Sequence, residues 1–326
     1  AISAITYDTT SGNRLSDISA AAISTTSGST FAANYSVTTA GAAISVAAIS
    51  VPGSVTLDNT YGSASGPKAS GYFNGTNNTT SNVTTSVGVT LGAAITAGSS
   101  ITVKGVSASS WGIQNSYTLT STNGSITLVG VGIHGMYQLG ALLATSGSID
   151  ISSVSTSSSW GYYAQNGSQT NYVALNDITL ASYATTYSSA VNLQNAMLRT
   201  TNGDIILSVR GGASNNGAVS QVLYMAGVTI NAGGDFTIQG ASLSNGIAIA
   251  SPSTAVTTTG GFIAVDIRSS ASLAYGGITN TGYKAAGNIS IAGTSNSSYG
   301  IYSNSVIQST AGSVSITGTS TSSYAT

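Results

Sequence analysis

Cysteine and glutamate are both absent from these 326 residues, histidine occurs once, at His134, and proline three times. Without cysteine there is no disulfide framework and no thiolate metal site. Charged residues make up 5% of the chain, against about 25% in an ordinary soluble domain. Eight Asp face seven Lys and Arg, for a formal net charge of −1. That excludes a basic patch for nucleic acid, and it leaves little repulsion between copies, which favours self-association. No run of about 18 apolar residues exists, so no membrane span is expected. The best candidate, residues 40–57, is broken by Gly41, Pro52 and Gly53. The start, Ala1-Ile2-Ser3-Ala4, lacks the basic and long apolar stretches of a signal peptide and reads as processed or excerpted. With 41% apolar residues the chain is nonetheless too hydrophobic to be a disordered tail.

What the sequence does contain is a repeat. Its clearest copy is Gly287-Asn288-Ile289-Ser290-Ile291, followed by a Ser/Asn turn and Tyr299-Gly300-Ile301. Aligned on the first apolar residue after the Gly-x step, copies fall at Ile101, Ile126, Ile149, Ile178, Ile205, Phe236, Ile263, Ile289 and Val314. The residue two places on is apolar in every copy, from Val103 to Ile316, which is the period of a half-buried strand. Gly usually stands two places before, suiting a turn that needs positive φ or a close neighbouring layer. About ten residues later comes a second match: Trp111-Gly112-Ile113, Trp160-Gly161-Tyr162, Tyr299-Gly300-Ile301 and Tyr324-Ala325. A third apolar patch, such as Tyr117-Thr118-Leu119, often precedes the next Gly.

Three short strands in about 26 residues are too few for a propeller blade, which takes four strands and about 40 residues. The expected fold is all-β, a parallel β-helix in which each coil buries its apolar face against its neighbours. Residues 1–82 read as irregular N-terminal coils. Within them, residues 58–82 are rich in Gly, Asn, Ser and Thr and long enough for a protruding contact loop. Residues 83–326 read as the regular array. It stops in mid-coil, as if it continued or abutted another copy.

Two columns of residues could carry chemistry. Asp177, Asp204 and Asp235 precede three successive index residues and should stack. At about 4.8 Å apart such carboxylates repel, so they need solvent, turn amides as donors, or a bridging cation such as Ca²⁺. Ca²⁺ is the one cofactor the sequence raises. The aromatic column, Trp111, Trp160, Tyr299 and Tyr324, has two readings. Each of the first three rings stands two residues before an apolar position, which in a strand means the same, inward face. Turned outward, the same rings would form a platform for sugar rings. Catalysis has little support: Asp204 and Asp235, with Arg210 near them in sequence, are the only approach to the two-carboxylate arrangement of glycoside hydrolysis. No Ser/His/Asp set, metal-ligand cluster or phosphate loop is present.

The Gly-x-Ile-x-Ile step, seen at Gly147-Ser148-Ile149-Asp150-Ile151 and at residues 287–291, resembles the filamentous-haemagglutinin-like exoproteins and related autotransporter passengers. The low charge, absent Cys and Ser/Thr/Gly/Asn-rich turns are similar as well. The resemblance covers residues 83–326. It implies a right-handed β-helix secreted to a bacterial cell surface and serving in adhesion, with a carbohydrate or host-surface ligand. The absence of Cys fits a chain threaded through a pore before folding. The coil of about 26 residues is longer than the haemagglutinin repeat, and the secretion-domain motif is missing. The sequence therefore leads to a non-enzymatic extracellular adhesin or exoprotein. A self-assembling subunit of a filament, sheath or surface layer is the alternative, and a polysaccharide-active enzyme a distant third.

Overall fold

In the computed structural model the described residues are 4–7, 18–20, 23–24, 34–38, 43–60, 86–157, 160–184, 190–211, 222–242, 249–269, 275–296, 299–303 and 305–321. Most of the proposed 58–82 loop, from residue 61, and Tyr324 lie outside them. All regular structure among the described residues is β-strand. The strands form three parallel columns, so the chain is a β-solenoid whose wall has three faces.

The first column holds twelve strands, from Ala4–Tyr7 through Asn34–Thr38, Val55–Asp58 and Ile101–Val106 to Val314–Ser320. Its register follows the repeat residue for residue: Ile101, Ile126, Ile149, Ile178, Ile205, Phe236, Ile263, Ile289 and Val314 are successive partners. All but Val314 are buried, as are their i+2 neighbours from Val103 to Ile291. Alternation works here because the column is made of straight strands whose odd positions all face the core. Twelve strands at the parallel spacing make a stack about 50 Å tall. The column also takes in Tyr35 and Val55, in register with Ile101, from the stretch that the sequence pattern places before the regular array.

The second column runs from Ile18–Ala20 through Ile44–Val46, Val89–Leu91, Trp111–Asn115 and His134–Gln138 to Tyr299–Ile301. The third runs from Ile23–Ser24 through Ile49–Val51, Ile95–Ala97, Leu119–Ser121 and Leu142–Ala144 to Ile307–Ser309. In the coils holding Tyr162–Ala174, Val191–Thr200, Ile249–Thr258 and Tyr275–Ala285, one long strand serves both columns. Where the chain bends within Val191–Thr200, Asn195 takes φ 51°, and Gly227 takes φ 63° one coil on. Asn and Gly are the residues that enter this left-handed region at least cost.

The two corners flanking the first column differ. From the third column back to the first, the connection is three or four residues in every coil from 52–54 to 310–313. From the first column to the second it varies from the single residue Ile133 to the segment 59–88. The constant corner is a stack of turns. A Cβ on Gly147 would lie 2.3 Å from the carbonyl oxygen of Gly124 in the coil beside it. Close approach is therefore what selects Gly there. The positive φ expected as a reason is not found: Gly227 is the one described Gly that has it.

The core is apolar with a few satisfied polar ladders. Tyr162 donates from its hydroxyl to that of Tyr172 at 3.0 Å across the interior. The buried Asn115 amide donates to Gln138 Oε1 at 3.2 Å, and Gln138 passes a bond on to Gly140 O at 2.7 Å. Such pairing removes most of the cost of burying amides and hydroxyls.

Candidate functional site

The variable corner opens onto the second column, and the aromatic residues gather there. In three consecutive coils the chain rounds the corner with the same step: Trp111-Gly112-Ile113, His134-Gly135-Met136 and Trp160-Gly161-Tyr162. Ile113, Met136 and Tyr162 are register partners and fully buried. The residue before each Gly is outside: Trp160 is 37% exposed, and Trp111 and His134 are half-buried. Of the two positions the sequence leaves open for Trp111 and Trp160, the outward one is found. The burial departs from alternation there: within Trp111–Asn115 and His134–Gln138 the Gly and the residue after it are both buried. A Cβ on Gly112 would meet Val131 N at 2.3 Å and Gly105 O at 2.7 Å, so only Gly fits this close corner. The ring before the Gly stays outside and the apolar residue after it is buried.

Three residues after each of these rings comes a second outward position, held by Gln114, Tyr137 and Tyr163, whose register partners in the next two coils are the buried Asn192 and the half-buried Tyr224. The two rows interlock. Trp111 packs on His134 with ring centroids 4.6 Å apart, on Tyr137 at 5.3 Å and on Tyr163 at 6.3 Å. Tyr137 and Tyr163 are near-parallel, 9° apart in plane at 5.6 Å, and Trp160 leans on Tyr163 at 4.6 Å. Five rings thus make one strip across three coils. Amides continue it: Tyr163 donates its hydroxyl to Gln165 Oε1, and Gln194 Nε2 donates to Asn192 Oδ1 at 3.0 Å one coil on.

No residue of the strip carries a formal charge. Burial against Trp111 and its neighbours pushes His134 below the ordinary imidazole value, keeping it neutral at pH 7. Its Nδ1 has no hydrogen-bond partner among the described residues. Desolvation, and then the neighbouring Tyr137, raises the Tyr163 phenol, so it stays a donor.

Of the rings named from sequence, the structure brings Trp111 and Trp160 together. Tyr299 stands in the same column many coils away, its ring 6.1 Å from Tyr302. The sequence reading missed His134, Tyr137 and Tyr163. The signal was there, because His134-Gly135-Met136-Tyr137 matches Trp160-Gly161-Tyr162-Tyr163 position by position.

The largest insertion leaves the wall beside this strip. Its first foot is clamped by buried Asn59, which accepts from Val106 N at 2.7 Å and donates to Val106 O at 2.9 Å and to Gly88 O at 3.2 Å. That side chain supplies Val106 with the bonds a neighbouring strand would give it. At the second foot Gly88 N donates to Trp111 O at 3.0 Å. The second foot is thus tied to the backbone of Trp111.

Asp177, Asp204 and Asp235 do stack, at the constant corner. Each carboxylate accepts the backbone N–H one coil on: Asp204 N to Asp177 Oδ1 at 2.8 Å, Asp235 N to Asp204 Oδ1 at 2.7 Å, and Phe262 N to Asp235 Oδ1 at 2.9 Å. Asn34, Ser125 and Asn288 do the same in other coils. The ladder gives the carboxylates a structural role without a cation. Among the described residues no three His, Asp, Cys or Glu groups gather as a metal would need. Arg210 lies over the Tyr183 ring, 5.7 Å from its centroid. Asp150 is raised above the ordinary carboxylate value, first by burial and then by the charge of Asp177.

No helix among the described residues is long and apolar enough to cross a membrane. Comparison with protein-family models, curated proteins and solved structures gave no match. The haemagglutinin-like resemblance therefore rests on the sequence pattern, and the structure adds to it the β-solenoid.

Proposed function

We propose that this chain is a non-enzymatic, extracellular, surface-displayed solenoid that makes contacts through its variable edge. The observation that supports this most is the contrast between corners. One is held to three or four residues in coil after coil, and the other accepts anything from one residue to the segment 59–88. In solenoids the side that takes insertions is commonly the binding side. Here that side also carries the aromatic strip. The low charge, the absence of Cys and the haemagglutinin-like pattern support a secreted bacterial exoprotein of adhesive type. Nothing in the reading requires a cofactor.

A second reading, assembly into a filament, sheath or surface layer, is favoured by the formal net charge of −1, which leaves little repulsion between copies.

The test is negative-stain electron microscopy of undenatured cell-surface material, with gold-labelled antibody to the chain. Labelled thin rods on the envelope are expected. Long filaments with a whole-coil axial repeat would move the assignment to the assembly reading. Label confined to the cytosol would end both.

A further inference from the structure

We infer that the strip of Trp111, His134, Tyr137, Trp160 and Tyr163 binds a linear, uncharged polysaccharide lying along the solenoid axis. The inference deepens the reading above, which says only that this edge makes contacts. Four features carry it.

The first is charge. Anionic glycans are held by Lys and Arg, and neither row of the strip has one, while His134 is kept neutral by burial. A neutral ligand meets no unpaired charge here. The second is the pairing of ring and amide. A pyranose with equatorial hydroxyls shows axial C–H groups on its faces, which suit the electron-rich face of an indole. Its hydroxyls need donors and acceptors at the rim, and exposed Gln165, with Gln194 one coil on and Gln114 two coils back, offers both on each amide. Trp160 supplies apolar area, being 37% exposed. Tyr137 and Tyr163, stacked on each other, are left to offer hydroxyls rather than faces.

The third is spacing. The strip repeats with the coil, at roughly 4.8 Å, close to the advance per residue of an extended pyranose chain. From Gln114 to Gln194 it spans four coils, on the order of 15 Å, room for about three sugar residues in register. The fourth is rigidity. Trp111, His134, Tyr137 and Tyr163 sit on strands, Trp160 stands two residues before Tyr162–Ala174, and the rings are packed against one another, so little side-chain freedom is left to lose on binding.

Isothermal titration of the full chain with cello- and chito-oligosaccharides of increasing length tests this, with heparin as the anionic comparison. Affinity is expected to rise with length up to about the four coils of the strip and to change little with salt. Trp160→Ala and Tyr163→Ala should each weaken it by about tenfold or more, Trp160→Phe by less. Asp204→Asn, at the other corner, should leave it unchanged. Unaltered circular dichroism shows that the variants fold. No heat with any neutral oligosaccharide, equal binding by the alanine variants, or binding by heparin alone that salt abolishes would each overturn the inference. Surface-labelled rods without neutral-glycan binding would sink this inference and leave the broader reading standing.

Discussion

Asp204 accepts a bond that the backbone ladder leaves open, from the N–H of Asp235 at 2.7 Å. What that position needs is an acceptor, since Asn288 serves Ser313 N in the same way at 2.9 Å. Asp204→Ala should lower stability by about 1 kcal/mol, the usual net worth of one such bond, while Asp204→Asn should stay close to the parent. Thermal melts read both. A chelator should leave the melting temperature of the parent unchanged, and a fall would show that the carboxylates hold a cation as well. At His134 the matter is pH. Its folded-state pKa lies below the ordinary 6.5, owing to burial. The unfolded chain therefore takes up the proton first. Stability is full above pH 6.5 and is lost as pH falls through the window from 6.5 down to the folded value. His134→Gln should flatten denaturant midpoints across that window. A slope that persists in the variant would assign the titration to another group. Asp150 has the opposite sign: its raised pKa means stability is lost as pH rises from 3.8 towards its folded value, a window set lower on the scale.

Among the elements, the first column was legible in the sequence to the residue from Ile101 onward, and the second was not. The difference is in the corners. From Val55–Asp58 onward each first-column strand is reached through a turn of three or four residues, so Gly147 and Ile149 keep the same phase as Gly287 and Ile289. Pattern alignment then finds the register with no other information, and even the substitution of Phe236 for Ile keeps its place. Each second-column strand is reached through a connection of different length, so Trp111, His134 and Trp160 fall at different distances from their index residues. The eye then catches two Trp and passes over His134 and Tyr137. Alternation fails for a separate reason. It assumes that buried and outward positions take turns, and Gly112 and Gly135, pressed against neighbouring backbone inside their strands, put two buried residues in succession. The stack of Val55 under Ile101 was hidden because the segment 59–88 separates them in sequence. Asn59 heals that gap in space, but its buried fork of bonds leaves no pattern in a single sequence.

For the molecule as a whole, the three-faced stack behaves as a one-dimensional array in which each coil answers to its neighbours. A disturbance at one corner is then judged by what that corner shares with the coils above and below. At the constant corner, the turn between Ala144 and Ile149 shares backbone contacts and hydroxyl bonds with its neighbour: Thr145 Oγ1 donates to Thr122 O at 2.6 Å and Ser146 Oγ to the same oxygen at 2.8 Å. The Gly147 contact adds to them. A short Gly/Ser insertion between Ser146 and Gly147 would remove all of these and break the turn stack on both sides. The same insertion in the connection 270–274, at the variable corner, lengthens a loop that differs from coil to coil already. Loop closure there costs only about 0.6 kcal/mol per doubling of length. The melting temperature should therefore fall by a degree or two at most for the variable-corner variant, roughly the scale of that cost, and by several times more for the constant-corner one. Equal losses at the two corners would mean that the constant turn is not held by its ladder. The variable edge would then lose its claim to be the side on which this fold can carry contacts without disturbing its core.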